Sequence, residues 1–365
     1  MIYPWFKTLN QNEEYKKAII KTIDNNKMTM GPFSYQLEDK LKQILNVKHV
    51  ILTTSGTSAL MIATMALDIV PNDDVICTDY TWIATVNPSL ILNAKLHTVD
   101  TLLNSIQVDF SLLNEKIKKI KPKLVYLVHL NGEAVHNEEF INLKNELNFH
   151  VIEDTAQSLF AKNKESKYCG TNFDIGCFSL SITKMFNMVY GGFCVTNSDD
   201  LAEKMISIRN NGVNSEPENA KLELASSAGL NLKPSDLHSS VGIINLNYAE
   251  KNIYNSREIY KEYKKCLKDH PKLKFLECHD VESSVPLYNC VFVKNREKFQ
   301  KYCTENNIGI HLGLRGLHET ELFEHDKNDL KNSIMLSQNL VRLPSGPGYL
   351  KEEINKVCRI LENYK

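Results

Sequence analysis

Hydrophobic positions recur along the chain in two rhythms. Short apolar runs, many of them β-branched, occur at His49–Thr54, Val75–Thr78, Lys95–Val99, Leu124–Val128, His150–Glu153, Ile175–Ser179 and Gly192–Thr196. Continuous runs of this length read as strands buried on both faces, as in a mostly parallel sheet. Between the first five, apolar residues fall at helical spacing over Ser58–Leu67, Thr81–Leu92, Phe110–Ile120 and Glu138–Leu147. Strand–helix alternation predicts an α/β fold: a mostly parallel seven-stranded sheet flanked by helices. The last two runs leave no room for a helical crossover, so they are expected to pair as a hairpin around the loop that holds Lys184.

Beyond Asn197 the rhythm changes. Asp199–Arg209 reads as a helix, and Pro234–Leu267 carries one long helical pattern. Leu287–Val293 reads as a strand, with helices over Arg296–Asn306 and Lys351–Asn363. A chain of 365 residues exceeds one small core. The expected division is a large domain over 1–248 and a smaller α+β C-terminal domain over 249–365.

Composition narrows the function. The net charge is −1, so there is no general electrostatic pull toward nucleic acid or an anionic membrane. The segment Met1–Trp5 lacks a basic region followed by an apolar run, and Ala59–Val70 is too short to span a bilayer. The nine cysteines are odd in number and show no C-x-x-C spacing, which predicts free thiols in a reducing compartment. A cytoplasmic enzyme is expected. The histidines show no metal-ligand spacing, so no metal is expected.

Active sites of open α/β sheets lie at the carboxyl ends of the strands. After the first strand, Ser55-Gly56-Thr57 opens a helix, and a helix N-terminus suits a phosphate; the plainer reading is an ordinary cap by Ser55 or Thr57. No glycine fingerprint for a dinucleotide or a P-loop occurs. After the second strand stands Trp82, an indole able to stack on a flat heteroaromatic ring or simply to pack. Asp154 ends the fifth strand, where an acid is costly without a partner. It suits a protonated pyridine nitrogen, with Gln157 reaching the ring hydroxyl, or else it caps the following turn. Lys184 follows the hydroxyl-rich Phe178–Thr183 and precedes Met185-Phe186. Desolvation there would make it a usable amine nucleophile, although most lysines are surface residues.

Together these segments resemble the DegT/DnrJ/EryC1/StrS family of pyridoxal-phosphate (PLP)-dependent sugar aminotransferases, which have the aspartate-aminotransferase fold (fold type I). The likeness runs through Gly31-Pro32, Ser55–Leu60, Thr81–Asn87, Val128–Gly132, Val151–Gln157, Phe178–Lys184 and Gly229–Asp236, in the family's order. It weakens after residue 250, where Gly309-Ile310, His318 and Leu343-Pro344 still fit. The resemblance implies that Lys184 forms the Schiff base and moves the proton, Asp154 holds the pyridinium nitrogen, and Trp82 stacks on the ring. It gives the phosphate to Ser55, Gly56, Thr57 and Ser179, with Asn231 reaching over from a second subunit. A homodimer with shared sites follows.

The chain also departs from the family pattern. Asn131 stands where an aromatic is common, Val189-Tyr190 where members read G-E, and Lys233 where an arginine is usual. The implied reaction moves an amino group from glutamate or glutamine to a keto-sugar, expected to be nucleotide-linked, for amino-sugar or glycan biosynthesis. These departures keep open a small keto-phosphate or keto-cyclitol acceptor. A PLP-dependent dehydratase would carry histidine at position 184. A non-catalytic PLP-binding sensor would not need both Lys184 and Asp154.

Overall fold

The computed structural model describes residues 2–9, 11–213, 225, 227–278, 280–323 and 327–365. Strands form where the apolar runs predict them: β1 (His49–Thr53), β2 (Asp74–Thr78), β3 (Lys95–Val99), β4 (Leu124–Val128), β5 (His150–Asp154), β6 (Ile175–Ser179) and β7 (Gly192–Thr196). They make one sheet in the order β1-β7-β6-β5-β4-β2-β3. The pairs β2–β3, β2–β4, β4–β5 and β5–β6 are parallel. Strand β7 is antiparallel to both its neighbours, β6 and β1. Six strands therefore point one way, and their carboxyl ends share one edge of the sheet. The expected hairpin is present, with Ser179 opposite Gly192, and Lys184 lies in the connection between β6 and β7.

Side-chain alternation sends successive residues of each strand to opposite faces. Val75, Cys77, Tyr126, Val128 and Ile152 join one apolar layer, which includes Ala59 and Ala63 from the helix Gly56–Ala66. Ile76, Val125, Leu127 and Val151 join the other, with Leu113 and Ile117 from Phe110–Ile120 and Phe140 and Leu143 from Glu138–Leu147. Both faces are covered, as a parallel sheet requires.

Two expected helices differ. Thr81–Leu92 is not one helix but a 3₁₀ turn, Ile83–Thr85, and a five-residue helix, Asn87–Ile91. Pro88 has no N–H to donate, so it fits the first turn of a new helix rather than the middle of a long one. The pattern over Pro234–Leu267 resolves into Asp236–Leu246 and Ala249–Leu267, interrupted at Asn247 and Tyr248.

The C-terminal part contains a three-stranded antiparallel sheet in the order β10-β9-β8, made of β8 (Lys274–Phe275), β9 (Asn289–Phe292) and β10 (Leu340–Leu343). Val291, Val341 and Leu343 pack with Phe299, Ile354 and Leu361 in a separate core. Alternation turns Leu340 and Cys290 the other way, into the large core. The N-terminal segment ties in here, with Tyr3 bridging to Ile308 and Phe6 to Ser345. No described helix is long and apolar enough to cross a membrane.

Candidate active site

The strand edge carries a cavity of about 370 Å³. Eight of the nine predicted site residues line it: Ser55, Gly56, Thr57, Trp82, Asp154, Gln157, Ser179 and Lys184. Asn231 does not. It is exposed, and its backbone bridges to Asn210.

The cradle after β1 is built by close approach. Ser55 caps the helix Gly56–Ala66 by accepting from the Ser58 N–H at 3.0 Å, so the capping reading of Ser55 holds. Gly56 and Thr57 stand in the first turn, where backbone N–H groups have no intrahelical acceptor. A Cβ on Gly56 would lie 2.8 Å from Ser179 Cβ, and one on Gly192 would lie 2.5 Å from Gly56 N. Only bare backbone lets β6, β7 and the helix start converge on one small polar niche. Oriented N–H groups, the helix dipole and the Ser179 hydroxyl together suit a phosphate.

Asp154 is buried at the end of β5. Its Oδ2 accepts from Thr85 Oγ1 at 2.7 Å, and its Oδ1 accepts from the Ala156 N–H at 3.0 Å. The turn-capping reading is therefore also true, and the carboxylate still lines the cavity. Thr85 falls inside the helix expected over Thr81–Leu92, where periodicity gives no sign that it meets Asp154. Gln157 Oε1 accepts from the Asn131 N–H at 3.2 Å.

Trp82 is 59% exposed, so it is not a packing residue. The segment that carries it is clamped from the C-terminal half. Asp79 accepts from the His318 backbone N–H at 2.9 Å, and its other oxygen lies 2.6 Å from His318 Nδ1. Lys184 is half-buried at the cavity wall rather than withdrawn from solvent, as the desolvation argument expected.

Behind Asp154, on the opposite face of β5, Glu153 is fully buried. Val135 N–H donates to His129 Nδ1 at 3.1 Å, which leaves the proton on Nε2, 3.1 Å from Glu153 Oε1. The N–H groups of Gly170, Asn172 and Phe173 also donate to Glu153. Burial pushes this carboxyl upward, but these donors outweigh it and hold the group below its ordinary range.

The far wall was not legible. Trp5, Tyr288, His311 and Arg342 arrive from the N-terminal segment and the C-terminal sheet. Trp5 packs on His311 with ring centroids 4.8 Å apart, and the Arg342 guanidinium lies 4.0 Å from the Tyr288 ring centroid. The signal for Arg342 was an arginine inside the apolar run Leu340-Val341-Arg342-Leu343.

Known proteins resemble this chain over nearly its whole length. A family model described as the DegT/DnrJ/EryC1/StrS aminotransferase family matches residues 10–362. The chain is 27% identical to a GDP-perosamine synthase of Vibrio cholerae, over all of this chain and 99% of that one. It is 26% identical to a dTDP-3-amino-3,6-dideoxy-alpha-D-galactopyranose transaminase of Aneurinibacillus thermoaerophilus, covering 98% and 96%. Its fold matches that of an E. coli GDP-4-keto-6-deoxy-D-mannose-3-dehydratase with bound hydrated PLP, at a TM-score of 0.90, 20% identity, and 98% and 99% coverage.

Proposed function

Since the chain belongs to the DegT/DnrJ/EryC1/StrS aminotransferase family, we propose that it is a PLP-dependent enzyme that moves an amino group from glutamate or glutamine to a nucleotide-linked keto-sugar. The observation that carries this reading is the convergence of Lys184, Asp154 and the Ser55–Thr57 cradle on one cavity. The donor set fits PLP. Hydroxyl and N–H groups at the cradle suit a phosphate, the acceptor-only carboxylate of Asp154 suits a protonated ring nitrogen, and the exposed Trp82 indole suits a flat ring.

When bound, PLP supplies an electron sink for the carbon that gains or loses the amino group. The protein's own contribution is positional. Lys184 would hold the cofactor through its Nζ and, once an incoming amine has displaced it there, would carry a proton between the reacting atoms. Asp154, kept in register by Thr85 and the Ala156 N–H, keeps the ring nitrogen charged. Gly56, Thr57 and Ser179 hold the phosphate, and Gln157 stands on the ring-hydroxyl side. Asn231, exposed in a single chain, completes the phosphate site of a second copy, which makes the working unit a homodimer. The large and small domains divide at residue 248, and nine free cysteines suit a cytoplasmic location. The names of the relatives support a nucleotide-linked sugar as acceptor.

The test is the visible spectrum of protein purified with PLP. A band that shifts on adding glutamate, and is absent or unresponsive in Lys184→Ala, is expected. No retained PLP, or an equal response in the mutant, overturns the reading.

A further inference from the structure

We propose that Arg342 anchors the α-carboxylate of the amino donor; the proposal rests on the aminotransferase reading above. Strand β10 alternates, so Val341 and Leu343 enter the small core while Arg342 faces the cavity that holds Lys184. Arg342 is only 7% exposed. Its guanidinium stacks 4.0 Å from the Tyr288 ring centroid, and no carboxylate among the described residues pairs with it. A buried cation without a counter-charge is expensive, and such a group in a cavity wall implies an anion that arrives from outside.

The charge count of the cavity says which anion. Its ionisable acids and bases are Asp154, Lys184 and Arg342, with His311 beside Arg342 and His129 already paired with Glu153. Asp154 is matched to a ring nitrogen and Lys184 to the cofactor, and the phosphate has the cradle. Arg342 alone is unassigned. The donor's carboxylate is bonded directly to the carbon at which Lys184 moves a proton, so its partner must line the same small cavity. The phosphates of a nucleotide-linked sugar are a sugar ring away from the keto carbon, and they belong at the solvent-facing mouth of the cavity, where Trp82 and Tyr190 are exposed. A guanidinium fork also fits a carboxylate in two parallel hydrogen bonds. The main chain at this position is held on both sides, Arg342 N–H donating to His311 O at 2.7 Å and His311 N–H to Arg342 O at 3.0 Å, and the guanidinium rests on Tyr288.

The experiment compares PLP-loaded wild type with Arg342→Met and Arg342→Lys. Glutamate is titrated while the cofactor band is followed. In parallel, the melting temperature is recorded with glutarate, a dicarboxylate without an amine, and with guanosine or uridine diphosphate. Loss of a charge-assisted pair predicts a rise of about 10- to 100-fold in half-saturating glutamate for Arg342→Met. Arg342→Lys should recover part of it. Stabilisation by glutarate should disappear in Arg342→Met while that by the nucleotide persists. Unchanged glutamate saturation in both variants, or loss of nucleotide binding alone, overturns the proposal. Should Arg342→Met not fold, Arg342→Lys carries the same comparison. A wild type that never answers glutamate refutes the underlying function as well, a result distinct from a responsive wild type with indistinguishable variants.

Discussion

Asn131 grips the backbone of Tyr288 from both sides. Its Oδ1 accepts from the Tyr288 N–H at 2.7 Å, and its Nδ2 donates to the Tyr288 carbonyl at 2.9 Å. Its own N–H meets Gln157. The residue that looked like a substrate-side departure is thus a bracket between the edge of the large sheet and the wall that carries Arg342. It sits at φ +53°, a conformation asparagine tolerates. Asn131→Gly keeps that backbone and removes both side-chain bonds. It should cost about 2 kcal/mol in urea denaturation, the price of two polar groups left unpaired in a buried strand end.

Val189 carries φ +69°, an outlying conformation for a β-branched residue, in the loop that follows Lys184. Its N–H is held by Asn187 Oδ1 at 3.2 Å. Glycine relieves the strain at this half-exposed site. Val189→Gly should raise stability by about 1 kcal/mol, read as a higher urea midpoint with an unchanged slope.

Trp82 is mostly exposed, so Trp82→Ala should leave the melt of the cofactor-free protein within about 0.5 kcal/mol of wild type. Its effect belongs to the ring. PLP affinity should fall about 10-fold, measured by equilibrium dialysis. A large loss of stability without change in affinity would reassign Trp82 to packing.

Glu153 links stability to acid. Its folded-state pKa lies below the ordinary 4.5 despite burial, because His129 and three backbone N–H groups favour the charged form. The unfolded chain therefore binds its proton first as pH drops. The stabilisation is complete above about pH 5 and is lost as pH falls through the folded value. Glu153→Gln should lower stability at pH 7 by about 3 kcal/mol. It should also make the decline below about pH 5 shallower, measured by urea midpoints as the pH is lowered.

The strands were legible because a sheet covered on both faces favours apolar residues at consecutive positions, as in Leu124–Val128 of β4. The cradle, Asp154 and Lys184 were legible because chemistry-bearing residues stand at the ends of those runs. Helices were less secure: Pro88 and the Asn247-Tyr248 break interrupt apolar periods without changing them. The wall of Trp5, His311 and Arg342 was hidden for another reason. Its members meet the sheet edge only through long-range pairs such as Asp79 with His318, and periodicity along the chain is silent about contacts between residues 239 positions apart. Yet Arg342, like Asp154, is a charge within an apolar strand, and the cost of burying it marks both positions alike.

Strand β1 closes onto β7, with Thr53 opposite Gly192. During synthesis at about 5–20 residues per second, β1 therefore waits roughly 7–30 s for β7, its one ladder partner among the described residues, to be made. Until then it is an open edge, a template for pairing with other chains. The helix start proposed as the phosphate cradle is likewise unfinished, because its third side is Gly192. Cofactor capture is consequently a late event in the life of the nascent chain, and the interval before it is when this protein is most exposed to misassembly.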